Sequence, residues 1–286
     1  MPVTTVLLLR HGHRLAWTLD PSTGKYTSTH PYPTRLPADP PLASHGVRQA
    51  EETGTYLSKE LLPLAREGQL RVYSSLFYRC LETLRPTIEG LNAELPDEKK
   101  IKVRGERGLG EWFGKAWFDQ PVPATAARLK EGWFPWVDEG YASVLVPERK
   151  GERIVQLHER VKEALDLVVR SVDAEDEMDV TVLICGHAAQ IIASGRALTG
   201  QTPDDLDDDD FKCYTCGISR FERKNGGEGV GGGFECTLNS DCAHLSQGAE
   251  RGWHFNGDES FDSYAACQGR GPEVHGGSRE AEASKL

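Results

Sequence analysis

Residues 4–12 read TTVLLLRHG and residues 180–187 read VTVLICGH. Each is a short apolar run rich in Val, Leu and Ile and bounded by polar residues. Neither alternates, which is the mark of a strand buried on both faces of a parallel sheet. Each also ends with a histidine beside a glycine, His11 before Gly12 and His187 after Gly186. In open α/β sheets the ligand crevice lies outside the carboxyl ends of such strands, so His11 and His187 are expected at one edge and within reach of one pocket. Taken singly, each histidine also fits a hydrogen-bonded structural role.

Outward from these runs the chain alternates strand and helix. Leu15 to Pro41 has no periodicity and holds six prolines, Pro21, Pro31, Pro33, Pro37, Pro40 and Pro41, so it reads as a long loop that shapes a site. Ser44 is the expected N-cap of a helix running through Val47, Tyr56 and Leu57 toward Leu64. Arg71 to Ser74 is a short strand. Leu76 to Leu91 has helical spacing with Arg79 in its first turn and Pro86 as a kink or break. Ile101 to Arg104 is expected as an edge strand. Residues 105–150 form an irregular insertion carrying Trp112, Trp117, Trp133 and Trp136, four of the six tryptophans. Ile154 to Val172 reads as an amphipathic helix and Ala188 to Leu198 as another, and the alternation predicts an α/β fold with a mostly parallel sheet.

No apolar run approaches the ~20 residues of a membrane helix, and the N-terminal segment lacks the basic start of a secretory signal. An intracellular chain without a membrane partner is expected. Of 286 residues, 33 are Lys or Arg and 44 are Asp or Glu, a formal charge of −11 that repels nucleic acid and acidic membranes. An anionic ligand therefore needs a local basic pocket. Seven cysteines, an odd number over a long chain, point to reduced thiols. Cys213 and Cys216 fall in Phe211 to Phe221, read as a strand, where residues three apart face opposite sides and do not share a zinc ion. The acidic run at residues 204–210 lacks the glycine and spacing of a calcium loop and reads as a solvated turn. Residues 225–233 are a glycine-rich hairpin loop with no Lys and no helix behind it, unlike a phosphate cradle.

Arg10 and Arg14 flank His11, and Arg79 opens the helix after the Ser74–Ser75 strand end. Three guanidiniums near two imidazoles call for an anion. The planar guanidinium fork matches phosphate oxygens and stays charged, so a phosphoryl group is the expected guest. The strings LLLRHGHR, YSSLFYRCLETL, GLGEW and LICGHAAQI resemble, in order, the RHG signature, second arginine motif, acid loop and second histidine motif of the histidine phosphatase superfamily. They cover roughly residues 3–200. The loop DPPLASHGVRQA, Arg14 itself and the late HLSQGAERGWHF resemble one branch in particular. It holds the Sts phosphatase domains and the phosphatase-like 55 kDa tau subunit of fungal transcription factor IIIC.

The resemblance implies a three-layer α/β/α, phosphoglycerate-mutase-like fold with a C-terminal β-hairpin extension, spanning residues 1–258. It implies a metal-independent phosphomonoester phosphatase without cofactor, acting on a phosphorylated small molecule or a phosphoprotein. His11 would attack phosphorus and form a phosphohistidine, Arg10, Arg14, Arg79 and His187 would hold the phosphoryl oxygens, and Glu111 would carry the proton of the leaving group. A phosphomutase and a non-catalytic interaction subunit are the alternatives. Mutase chemistry fits less well, because Trp17 replaces the Asn of the mutase pattern and His13 its Ser. Metal binding by His11, His13 and His187 is not expected, since no acidic cluster accompanies them and three arginines would repel a dication.

Residues 259–286 are expected as a polar, flexible tail. Its last three residues, Ser284, Lys285 and Leu286, form a tripeptide read by the peroxisomal import receptor at a free C-terminus. The receptor is thus an expected partner and the peroxisome the expected address, with cytoplasm or nucleus as the alternative.

Overall fold

A computed structural model describes residues 2–175, 178–225, 227 and 229–275. The elements in chain order are β1 (Val3–Arg10), β2 (Trp17–Asp20), β3 (Lys25–Thr27), α1 (Ser44–Arg66), β4 (Leu70–Ser74), α2 (Tyr78–Glu94), β5 (Val103–Gly105) and α3 (Ala126–Gly132). There follow β6 (Val137–Asp138), α4 (Ile154–Glu175), β7 (Val180–Gly186), α5 (Ala188–Thr199), β8 (Ile218–Arg223), β9 (Phe234–Asp241), α6 (Tyr264–Cys267) and β10 (Glu273–His275). Seven strands form the main sheet in the order β6-β5-β4-β7-β1-β8-β9. The first five are parallel, and β8 and β9 close the edge as an antiparallel hairpin.

Alternate residues of a strand face opposite sides, and here both sides are apolar. Val6 and Leu8 of β1 join Val182 and Ile184 of β7 against α4 and α5. Leu7 and Leu9 join Leu183 and Cys185 against α1 and α2. Three layers result, and β7 has no exposed residue along its length. Each fully buried Leu, Ile or Val is worth roughly 1.5–3 kcal/mol. At Gly54 a Cβ would meet the Pro86 ring at 2.4 Å, so the missing side chain is what lets α1 and α2 approach.

Several expectations are corrected. Pro86 does not break α2, which continues to Glu94, because the helix is buried along Leu84, Ile88 and Leu91 on packing that outweighs one lost hydrogen bond. The strand near residue 103 is interior, with β6 outside it. Ser44 begins α1 but caps nothing with its side chain; Ala43 holds the cap position. The strand expected from Phe211 starts only at Ile218, so Cys213 and Cys216 lie in loop, both buried but in separate apolar clusters.

The largest correction concerns the segments read as featureless. The loop over residues 15–41 contributes β2 and β3, and the supposed tail contributes α6 and β10; β10-β2-β3 is a second sheet. Phe261 and Cys267 are buried with Trp17, Leu19, Ala38 and Ala116, so the folded body extends past residue 258. The tryptophans of the insertion do not form one unit: Trp112 packs with α4 and α5, Trp117 with the second sheet, and Trp133 and Trp136 beside α1 and α2. Ser284, Lys285 and Leu286 lie outside the described residues. Among the described residues no helix is long and apolar enough to cross a membrane.

Candidate active site

Register in the main sheet builds the site. Arg10 pairs with Gly186 and Ser74 with Cys185, so β1, β7 and β4 end level with one another. The backbone ladder runs one residue further, His11 N donating to Gly186 O at 3.0 Å and Ser75 N to Cys185 O at 3.0 Å. His11, Ser75 and His187 thus stand in a row past the sheet edge, with the two imidazole centroids 5.3 Å apart. The turn after His11 is pressed against α1: a Cβ on Gly46 would meet His13 O at 2.0 Å, and Ala43 N donates to that same oxygen at 2.8 Å.

The ring of His11 is buried, and its Nδ1–H donates to Gly12 O at 2.7 Å, which leaves the lone pair on Nε2. Burial, followed by the charges of Arg79, His187, Arg10 and Arg14, holds its pKa well below 6.5. His11 is therefore a neutral imidazole at neutral pH. The His187 ring bonds Ser75 Oγ through Nε2 at 2.8 Å and Glu111 Oε2 through Nδ1 at 3.0 Å. Burial alone would lower His187, but Cys80 and Glu111 outweigh it and raise its pKa above 6.5.

Arg79 is wholly buried. Its Nη1 donates to Ala38 O at 3.2 Å and to Asp39 Oδ1 at 3.4 Å, and its Nη2 to Glu111 Oε2 at 2.9 Å. Glu111 arrives on a stiff loop. Arg160 Nη1 donates to Gly108 O at 2.7 Å, Gly108 N donates to Glu106 Oε1 at 2.7 Å, and Trp112 Nε1 donates to Glu152 O at 2.9 Å. Burial pushes the Glu111 carboxyl up, but His187, Arg79 and His11 together hold it well below 4.5, so it is a carboxylate. Arg10 Nη1 donates to the carbonyls of Cys213 (2.6 Å) and Arg251 (2.7 Å). Arg14 is half-buried; burial and Arg79 lower it to about 9, which leaves it charged at neutral pH. The Nε–H groups of Arg10 and Arg79 are buried with no acceptor among the described residues.

All six residues expected at the site are brought together. Others were not foreseen. Asp39, the first residue of the DPPLASHGVRQA string, anchors Arg79 and Tyr78 N and accepts from Thr34 Oγ1 at 2.9 Å; burial lifts it to about 6 against those partners. Cys80 lies 3.5 Å from His187 Nε2, and the Cys185 thiol, His187 and Arg79 lower its pKa despite burial. The fold also supplies the acidic partner that sequence alone did not find for the histidines: His11, Glu111 and His187 offer atoms within 4.8 Å of one another. A dication among them would face the Arg79 guanidinium on the same Glu111 oxygen, so the donor set suits an oxyanion better than a metal.

Two imidazoles at adjacent parallel strand ends, ringed by three arginines and one carboxylate, define a class. The chain belongs to the histidine phosphatase superfamily (branch 1), whose family model matches residues 6–231. Over 284 residues it is 30% identical to the transcription factor tau 55 kDa subunit of Saccharomyces cerevisiae, covering 90% of this chain and 59% of the yeast protein. It is 30% identical to the ecdysteroid-phosphate phosphatase of Drosophila melanogaster over 66% of this chain and 24% of that protein. The chain thus spans three fifths or less of the length of these relatives. The fold is similar to that of YhfR from Bacillus stearothermophilus, with a TM-score of 0.51 and 22% identity, covering 85% of this chain and all of that one.

Proposed function

We propose that the chain is a metal-independent phosphomonoester phosphatase working through a phosphohistidine on His11. The observation that carries the reading is the neutral, lone-pair-bearing Nε2 of His11 set among Arg10, Arg14, Arg79 and His187, whose pKa its neighbours raise. In the first step Nε2 attacks phosphorus in line and the phosphorus–oxygen bond to the leaving group breaks. The arginines and His187 hold the three phosphoryl oxygens, and Glu111 gives the departing alkoxide its proton. In the second step water attacks, Glu111 takes its proton, the phosphorus–nitrogen bond breaks, and inorganic phosphate leaves. Such positioning and charge stabilisation is most of what phosphoryl transfer asks of a protein.

Glu111 enters this cycle as a carboxylate bonded to Arg79 and His187, where a phosphoryl oxygen would sit. A dianionic substrate displaces it, removes the cationic contacts that depress its pKa, and so readies it to accept the proton it later donates. The substrate class is a phosphorylated small molecule or a phosphoprotein side chain. The yeast relative, matched over 90% of this chain, is a transcription-factor subunit, and that favours a second reading in which the fold serves as an interaction module. One assay separates the two: release of nitrophenol from p-nitrophenyl phosphate by the purified chain in excess EDTA. Turnover with a phosphoryl adduct trapped on His11 supports the enzyme; no turnover with or without metal supports the module.

A further inference from the structure

The three arginines of the site are held in the same manner. Each commits Nη1 to at least one protein oxygen brought from elsewhere in the chain: Ala38 and Asp39 for Arg79, Cys213 and Arg251 for Arg10. Arg14 Nη1 donates to its neighbour Leu15 O at 3.1 Å and to His275 O at 3.2 Å. His275 is the last residue of β10. Its ring stacks on Trp17 at 4.1 Å and 14°, and the Arg14 guanidinium lies 5.5 Å from the centre of the same indole. Backbone pairing of β10 with β2, His275 opposite Trp17, sets that geometry. The segment leading to β10 is pinned by buried Phe261 and Cys267.

β10 adds little to the core, since Val274 is 71% exposed and neither neighbour is buried. A strand without a buried side chain is a poor source of stability. What it contributes is an acceptor aimed at one guanidinium, and an untethered arginine would sample many rotamers. We propose that His275 is a positioning residue for Arg14, so that the C-terminal strand β10 is part of the phosphate-binding apparatus. The proposal rests on the reading of Arg14 as a phosphate ligand given above.

The test uses the full chain with Glu273→Gly, Val274→Pro and His275→Gly combined, in wild-type and Arg14→Ala backgrounds. Inorganic phosphate affinity is read by calorimetry, alongside KM and kcat for p-nitrophenyl phosphate. With Arg14 present, breaking β10 should weaken phosphate binding and raise KM by roughly three- to tenfold, the cost of ordering one long side chain. With Arg14→Ala the same change should move neither by more than about twofold, because its target is gone. Losses that multiply in both backgrounds would mean a merely structural strand and overturn the proposal, as would no loss in either. His275→Ala, which keeps the carbonyl and removes the stack, should fold as wild type and show a smaller loss that again vanishes with Arg14→Ala. A wild-type chain that neither binds phosphate nor hydrolyses the ester would overturn the phosphatase reading, and the tether with it. A chain that binds phosphate but is insensitive to β10 would overturn the tether alone.

Discussion

β1 and β7 are neighbouring parallel strands, paired without slip from Thr5 and Thr181 to Arg10 and Gly186, and each delivers a buried histidine past its carboxyl end. The two imidazoles are nevertheless driven apart. Burial and four cationic neighbours keep His11 neutral, whereas Cys80 and Glu111 overcome burial and raise the pKa of His187. A strand end supplies an address at the pocket, and residues from elsewhere in the chain supply the role. Cys80 and Glu111 are the dividers: the Cys80 sulfur lies 3.5 Å from Nε2 of His187, and the Glu111 carboxylate bonds its Nδ1.

Removing the attacking member of the pair should have the largest effect. His11→Ala should cut turnover of p-nitrophenyl phosphate by more than about a thousandfold while circular dichroism and melting stay close to wild type. Retention of a tenth of the activity would make another residue the nucleophile. His187→Ala should cost less, about 100- to 1,000-fold, as expected for loss of one charged donor to the transition state. It should still allow a phosphohistidine to be trapped on His11, and absence of any adduct would give the two histidines a shared role.

Glu111→Gln sharpens the comparison by removing one of the two dividers. Alkyl phosphates, whose leaving groups need a proton, should slow by about 100- to 10,000-fold, and nitrophenyl phosphate much less. Inorganic phosphate should bind more tightly than to wild type, since the internal carboxylate no longer competes for Arg79 and His187. Equal slowing of both esters would place the acid elsewhere. The pH profile reports the same asymmetry: His11 must be neutral and its pKa is depressed, so the acid limb of kcat/KM should lie below pH 6.5. His187 must be protonated and its pKa is raised, so the alkaline limb should lie above pH 6.5. The smallest effect is expected from Cys80→Ala, which removes a negative neighbour of His187 and should move only the alkaline limb, downward. An acid limb that moved as far would show that the two rings titrate as one unit.

The parallel strands and their histidines were legible because a strand buried on both faces must be uniformly apolar, and VTVLICG and TVLLL have few other uses. The arginines were legible through their spacing around those strands and through motif resemblance. Glu111 needed the resemblance, since one acid among 44 acidic residues has no local mark. The second sheet was not legible at all. β2, β3 and β10 are four, three and three residues long, set among prolines and glycines, and two of them are brought together from opposite ends of the chain. Short strands of that kind are specified by what they dock against, here Ala38, Ala116, Phe261 and Cys267, rather than by their own periodicity. Asp39 was hidden for a related reason: its partner Arg79 lies forty residues on and reveals itself only when α2 packs.

The placement of β1 also governs how the protein comes into being. β1 precedes the other strands of the main sheet in the chain and is an inner strand of it, yet both its partners come late: Val6 waits for Val182 on one side and Phe221 on the other. At a synthesis rate of about 5–20 residues per second, that wait is on the order of ten to forty seconds, during which VLLL has no partner strand. Pairings so distant along the chain fold slowly and leave sticky surface uncovered meanwhile. The nascent chain is thus expected to recruit a chaperone to β1, and a fragment ending before Val180 should aggregate when made alone.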